Sequence, residues 1–403
     1  MRNMRESGIA WVGPMPDEWN IKRGKFTLRL LSRPVKDTDE VITCFRDGEV
    51  TLRRNRREDG FTVSLKEIGY QGIEPGDLVV HGMDGFAGSI GISDSRGKSS
   101  PVLVVCDSDE NKKYIMYYLR SMAYNDVFTA LATGIRVRSC DLRWNKLAEL
   151  PYILPSVAEQ AKIVQAIEDS TAKVDSLIAN VQAQIEKLKA YKQSVITEVV
   201  TKGLDPAVPL KDSEIEWIGQ IPKHWGLIRF RFIAKTTTGN QDTQNADPDG
   251  LYPFYVRSPI VERCNNYTFE GEGILMAGDG AGAGRVFHLV DGKYAVHQRV
   301  YRFYDFKHME PVLLKFYLEN LFSTVMDYGS AKTTVPSVRL PMIQNFVVCV
   351  PPADEQKEMI RFLTEKATNI DKLISIKQAK IEKLEQYKKS LIYEYVTGKK
   401  EVS

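Results

Sequence analysis

The chain has 403 residues, with 55 Lys and Arg against 52 Asp and Glu, a net charge of +3 and a pI near 8.4. A hydrophobic share of 43% and a charged share of 27% are globular values and leave room for two to three domains with their own cores. No apolar run approaches the length of a membrane span, and so mild a basic balance permits a nucleic-acid partner only through a local footprint.

The first ten residues hold no apolar signal core, so the chain is expected in the cytoplasm. Cys44, Cys106, Cys140, Cys264 and Cys349 are odd in number and form no C-x-x-C pair, so they read as reduced, mostly buried thiols. In chain order, the first signal is Trp11-Val-Gly-Pro-Met-Pro-Asp-Glu-Trp19. Residues 20–150 then mix short β-rich runs with glycine turns. Strands are predicted at Asp77–His81 and Pro101–Cys106, and an amphipathic helix at Lys113–Tyr124. A capping box, Ser156-Val-Ala-Glu159, opens a long helix. Its seam residues are Val174, Ile178, Val181, Ile185, Leu188, Lys192, Val195 and Val199, steps averaging 3.5 residues that call for a coiled-coil partner. Gly203, Pro206 and Pro209 stop this helix and lead through a linker over residues 201–216.

The pattern then repeats. Trp217-Ile-Gly-Gln-Ile-Pro-Lys-His-Trp225 echoes the opening at an offset of 206. Residues 226–350 again carry β-rich runs, at Gly273–Ala277 and Asn345–Val350, with a helix expected over Glu310–Asp327. A second long helix has seam residues Ile370, Ile374, Lys377, Ile381, Leu384, Lys388, Leu391 and Tyr395. Residues 185–203 and 381–399 are identical at eleven of nineteen positions, at a constant offset of 196. A period this long means a duplicated module rather than a solenoid. The offset changes by ten between opening and helix, so the middles differ in length while the ends match. Matching parts are expected to be scaffold and differing parts to carry specificity. Each helix, at about forty residues and roughly 60 Å, cannot bury its stripe on its own domain and is expected to pack on the other.

The duplicated openings, the Pro-x-x-x-Glu-Gln helix starts (Pro155 to Glu159-Gln160, and Pro351 with Glu355-Gln356) and the two IEKL…Y-K-x-S helices together resemble the specificity subunits of type I restriction-modification systems. In that reading the chain is α+β. Two tandem globular α/β target-recognition domains are joined by two long antiparallel coiled-coil helices with a pseudo-two-fold internal repeat. The expected divisions are 1–154 (first recognition domain), 155–203 (first helix), 204–350 (linker and second recognition domain) and 351–403 (second helix). The resemblance implies a DNA-binding protein without chemistry of its own, reading a bipartite, gapped double-stranded site. It also implies two methylation subunits docked on it, restriction/translocase subunits in the full complex, and no membrane. No cofactor is expected in this chain. S-adenosylmethionine, ATP and Mg are expected on the partner subunits. A tandem-domain coiled-coil adaptor and a stand-alone DNA-binding remnant without methylation partners are the competing readings.

DNA contacts cannot be carried over by motif, so they are read from residue chemistry. Arg53, Arg54, Arg56 and Arg57 form the sharpest basic cluster, suited to phosphates or guanine edges, against a solvated loop beside Glu58 and Asp59. Arg136 and Arg138 follow Thr133-Gly134, and Lys332 and Thr333 follow Gly329 in the second copy. Gln298 and Arg299 add an amide and a cation, with phosphate contact expected to outweigh base reading at all these positions. The glycine-rich stretch Gly278–Gly284 matches no nucleotide-binding fingerprint and reads as a tight turn, as does Gly82–Gly88. The paired tryptophans read as packed corners. Lys192 and Lys388 either fix helix register or face a partner or DNA. The five histidines show no metal spacing.

Overall fold

The computed structural model describes residues 2–56, 67–131, 142–329 and 336–402, without the side chains of 325–329. It divides into two compact units, one made of Met1–Gln182 with Ala379–Ser403, the other of Ala183–Gln378. The divisions fall inside the two long helices, Val157–Lys202 and Ala353–Val396, of 46 and 44 residues, so each unit contains a stretch of both.

In the first unit a hairpin of Met4–Glu6 and Pro14–Pro16 leads into Trp19, which is buried. Strand Asn20–Arg23 then pairs antiparallel with Pro151–Leu154, immediately before the long helix. The main sheet has four antiparallel strands in the order Arg29–Leu30, Leu103–Asp107, Leu78–His81, Ile90–Ile92. The helix Lys112–Tyr124 is capped by the side chain of Asn111 and buries Tyr114, Tyr118, Leu119 and Met122 in the core beneath this sheet. Smaller pairs, Ile42–Cys44 with Val50–Leu52 and Gln71–Ile73 with Gly97–Ser99, cover a satellite core.

The second unit repeats this plan. Hairpin Leu210–Asp212 with Gln220–Pro222 leads to the buried Trp225, and Gly226–Arg229 pairs with Val347–Val350. Its main sheet runs Lys235–Thr238, Val300–Tyr304, Gly273–Ala277, Phe287–Val290. A second four-stranded sheet, Glu262–Cys264, Tyr252–Tyr255, Lys293–Val296, Phe269–Glu270, is more developed than its counterpart and contains the one parallel strand pair among the named, described strands. The helix here is Pro311–Gly329. The predicted strands and short helices therefore stand, with ends moved by two residues or fewer. The four described cysteines are all buried and free, and Cys140 lies outside the described residues.

The helix starts show why Glu-Gln recurs. Gln160 is fully buried, accepts from the Asn111 amide at 2.8 Å, and donates to the Pro155 carbonyl at 2.9 Å and Glu110 at 2.7 Å. Gln356 likewise accepts from the Glu310 amide at 2.8 Å and donates to the Pro351 and His308 carbonyls at 2.9 and 2.8 Å. The neighbouring glutamates seat the tryptophans: Trp19 donates to Glu159 at 3.2 Å and Trp225 to Glu355 at 2.9 Å. The expected capping box is thus half present. Ser156 accepts from the Glu159 amide at 3.3 Å, but the Glu159 carboxylate is drawn away to Trp19 and Arg2. Each long helix ends on a glycine with positive φ, Gly203 at 78° and Gly398 at 73°, packed under Trp225 and Trp19 respectively. Trp11 and Trp217 are half-buried, so all four tryptophans sit in the corners rather than on an exposed platform.

Within each unit the two helical stretches run antiparallel. In the second, Lys377 donates to Gln184 at 2.6 Å and Lys192 to both oxygens of Asp371 at 2.7 Å, so one number rises as the other falls. In the first, Lys388 reaches both oxygens of Asp175 at 2.7 Å, and Val174, Leu391, Ile392, Tyr395 and Val396 share one core. The seam lysines are therefore register pins.

These contacts rank by cost. Gln160→Ala or Gln356→Ala strands buried backbone groups and should lower unfolding stability by about 2–4 kcal/mol. Lys192→Ala or Lys388→Ala removes a partly exposed pair and should cost about 0–1 kcal/mol. Denaturant midpoints of the four variants test the order.

Candidate nucleic-acid interface

The basic residues fall into two groups by what holds them. Arg33 is tied to the buried Asp77, and Arg96 to the buried Asp39 at 2.8 Å and to Glu74. Arg302 is buried, donates to the Tyr294 hydroxyl at 2.7 Å, and lies over Phe269 and Tyr304. These three are scaffold. Arg46, Arg54, Arg257 and Arg299 instead stand on turns or loops next to strands, with side chains about half or more in water.

In the first unit Arg53–Asn55 form a short 3-10 turn after strand Val50–Leu52, so the basic cluster is anchored rather than loose. Arg53 donates to Thr43 at 3.3 Å, Arg54 pairs with Glu40, and Arg56 lies 2.7 Å from Asp47, 3.1 Å from Glu49 and 4.2 Å over the Phe45 ring. Acidic neighbours thus offset much of the charge that the sequence suggested. Nearby, Arg46 pairs with Asp84 at 3.2 Å. Arg57, Arg136, Arg138, Lys332 and Thr333 lie outside the described residues.

In the second unit Gln298 and Arg299 occupy the turn between Lys293–Val296 and Val300–Tyr304. Gln298 donates to Asp242 at 2.8 Å, so its amide is held in place. Arg299 is exposed, with its side chain 3.8 Å from Asp279, and Asp279 also holds Arg257 at 3.0 Å. Beneath them His297 is buried and accepts from the Arg299 amide at 3.0 Å. Burial pushes its pKa below the ordinary value. The Gly278–Gly284 stretch is a turn as expected: the Gly278 amide donates to the Arg299 carbonyl at 2.9 Å, and Gly280 and Gly284 have positive φ. Arg46, Asp84, Arg257 and Asp279 were not singled out by the sequence.

Among the described residues no group of three or more His, Cys, Asp or Glu is placed to hold a metal ion, and no helix is long and apolar enough to cross a membrane.

Residues 223–386 match the family model described as the type I restriction modification DNA specificity domain. The type I restriction enzyme MjaVIII specificity subunit of Methanocaldococcus jannaschii is 24% identical, over 96% of this chain and 93% of that protein. The EcoDI specificity subunit of Escherichia coli is 26% identical over 42% of this chain and 36% of its own length. A solved structure described as the "structural basis underlying complex assembly and conformational transition of the type I R-M system" shares the fold, with a TM-score of 0.70 and 14% identity over 95% of this chain and 98% of that one.

The Arg96 guanidinium beside Asp39 pulls that carboxyl down from 3.8 to about 2. A depressed folded-state value means that the pair stabilises fully above the ordinary carboxylate range and that this is lost as pH falls from about 4 through 2. Acid unfolding followed by circular dichroism should show this loss in the native chain. Arg96→Ala should be less stable at neutral pH and should lose less further stability across that window.

Proposed function

We propose that this chain, which belongs to the specificity subunits of type I restriction-modification systems, reads a bipartite, gapped double-stranded DNA site, one half with each unit. The observation that carries the reading is the repeated scaffold. Both units have the same tryptophan corner, the same Glu-Gln helix start and the same main-sheet order, while the loops above the sheets differ. A common frame with divergent loops suits two readers of two different half-sites.

The paired long helices serve as the seat of two methylation subunits, which restriction/translocase subunits join in the full complex. This chain contributes recognition and no chemistry. S-adenosylmethionine, ATP and Mg belong to the partners, and the complex works in the cytoplasm. Arg53, Arg54, Arg56, Arg57, Arg136, Arg138, Gln298, Arg299, Lys332 and Thr333 are proposed to meet DNA, chiefly at phosphates.

Two measurements test the reading. The chain should co-purify with methylation subunits, two per chain. Methylome sequencing of the host should show adenine methylation in both halves of a gapped motif, lost on deletion of the gene. An unchanged methylome would sink it.

Exchanging residues 20–150 for the matching region of a relative should change one half-site and leave the other intact, because the first unit's main sheet has its own core. A change in both halves would contradict independent reading. Replacing Arg53, Arg54 and Arg56 by Glu should weaken binding and flatten its salt dependence, by a slope of about 0.9 for each phosphate no longer neutralised. Titration at several salt concentrations reads this directly.

A further inference from the structure

An arginine–aspartate pair occurs in each unit at the same place in the fold. Arg46 lies two residues past strand Ile42–Cys44, and Arg257 lies two residues past strand Tyr252–Tyr255. Both strands begin antiparallel hairpins, with Val50–Leu52 and with Glu262–Cys264; Val41, just before the first, makes a single parallel bridge to Lys98, and the second pairs in parallel through Phe254 against Ala295. Asp84 and Asp279 stand in the turn that joins the third and fourth strands of the main sheet, after Leu78–His81 and after Gly273–Ala277. The pairs measure 3.2 Å for Arg46–Asp84 and 3.0 Å for Arg257–Asp279.

The backbone agrees. The Arg46 carbonyl sits over Gly88, where an added Cβ would lie 2.8 Å from it, and the Arg257 carbonyl sits over Gly282, where the distance would be 2.6 Å. Each glycine-rich turn therefore admits the arginine-bearing loop at a distance no side chain allows. Sequence spacing hides the correspondence, because the paired residues are 38 apart in the first unit and 22 apart in the second.

Stability does not account for the recurrence. The arginine side chains are 58% and 46% exposed, and ion pairs this open to water contribute little to folding. Geometry offers a better account. The aspartate takes one terminal nitrogen of a guanidinium that has five N–H donors in a rigid fork, and so tethers one arm of the fork while the remaining donors stay open to water. A fork held this way suits the O6 and N7 acceptors of guanine in the major groove.

We infer that Arg46 and Arg257 each read a guanine in the half-site of their own unit, with Asp84 and Asp279 as positioning residues. This rests on the proposal that the units read DNA. It goes beyond it by separating two base readers from the arginines that contact phosphates.

The test is selection from a pool of randomised double-stranded DNA by the full chain co-purified with its partner subunits. The native chain is expected to select a gapped motif. Arg46→Lys keeps the charge but not the fork. It should lose discrimination at one G·C position in one half, by on the order of tenfold to a hundredfold, and keep the other half. Arg257→Lys should do the same in the opposite half. Asp84→Ala and Asp279→Ala should relax the same positions as their arginines, with melting temperature and salt slope unchanged. An unchanged motif in the lysine variants would overturn the inference. So would weaker binding with every base preference retained, since the arginines would then be phosphate contacts. A native chain that selects no motif would instead remove the DNA reading itself, and this inference with it.

Discussion

The amide of Gln160 closes three hydrogen bonds where water does not reach, and Gln356 repeats the arrangement in the second unit. Each glutamine bridges the strand that ends a domain, the loop before that domain's own helix, and the first turn of a long helix. Removing it would leave backbone donors and acceptors buried and unpaired, which costs more than the bonds themselves are worth. The direction in which each long helix leaves its domain is therefore set at this point. Glu159 and Glu355, one residue earlier, then pull the buried tryptophans against the helix start. The glycine that ends the partner helix tucks beneath the same ring, Gly398 under Trp19 and Gly203 under Trp225. One corner thus gathers the start of one helix, the end of the other and the opening of the domain.

With the ends fixed, the seam has little freedom to slide. Its apolar residues alone would tolerate a shift of one heptad, because Val, Ile and Leu are interchangeable along the stripe. Lys192 and Lys388 remove that tolerance. Each finds both oxygens of an aspartate on the facing helix, Asp371 and Asp175, and a shifted register would separate them. Such pairs add little net stability, being partly exposed, but they discriminate between registers. Of the two readings that the sequence left open for these lysines, the register reading is supported by the aspartates, which lie 196 residues apart just as the lysines do.

Scaffold is the legible part of this sequence, because its signals are local or repeated. Helix periodicity, glycine stops and the duplicated Trp and Glu-Gln motifs each declare themselves within a dozen residues, and duplication supplies a second witness. The role of Glu159 is hidden because a capping box and a tryptophan anchor use the same residue, and only the fold shows Trp19 within reach. The interface is less legible. The run Arg53–Arg54 with Arg56 stands out by density, yet Glu40, Asp47 and Glu49 answer it from positions the sequence leaves scattered. Arg46 and Arg257 carry no signal at all, since their partners lie far along the chain at unequal distances.

Net charge is a weak guide to where such a protein meets DNA, and the fate of the arginines shows why. Arg302 is committed to stacking against aromatic rings, and Arg33 and Arg96 to neutralising buried carboxylates. These contacts raise the basic count while tying each guanidinium to the scaffold. What an interface needs is cations whose counter-charge is partial and whose geometry is set from behind. Asp279 illustrates the difference, since it holds Arg257 directly and lies 3.8 Å from Arg299 while both remain in water. A single carboxylate between two exposed guanidiniums leaves a net positive group that is also ordered. Attraction to phosphate needs only the first property, whereas discrimination between bases needs both.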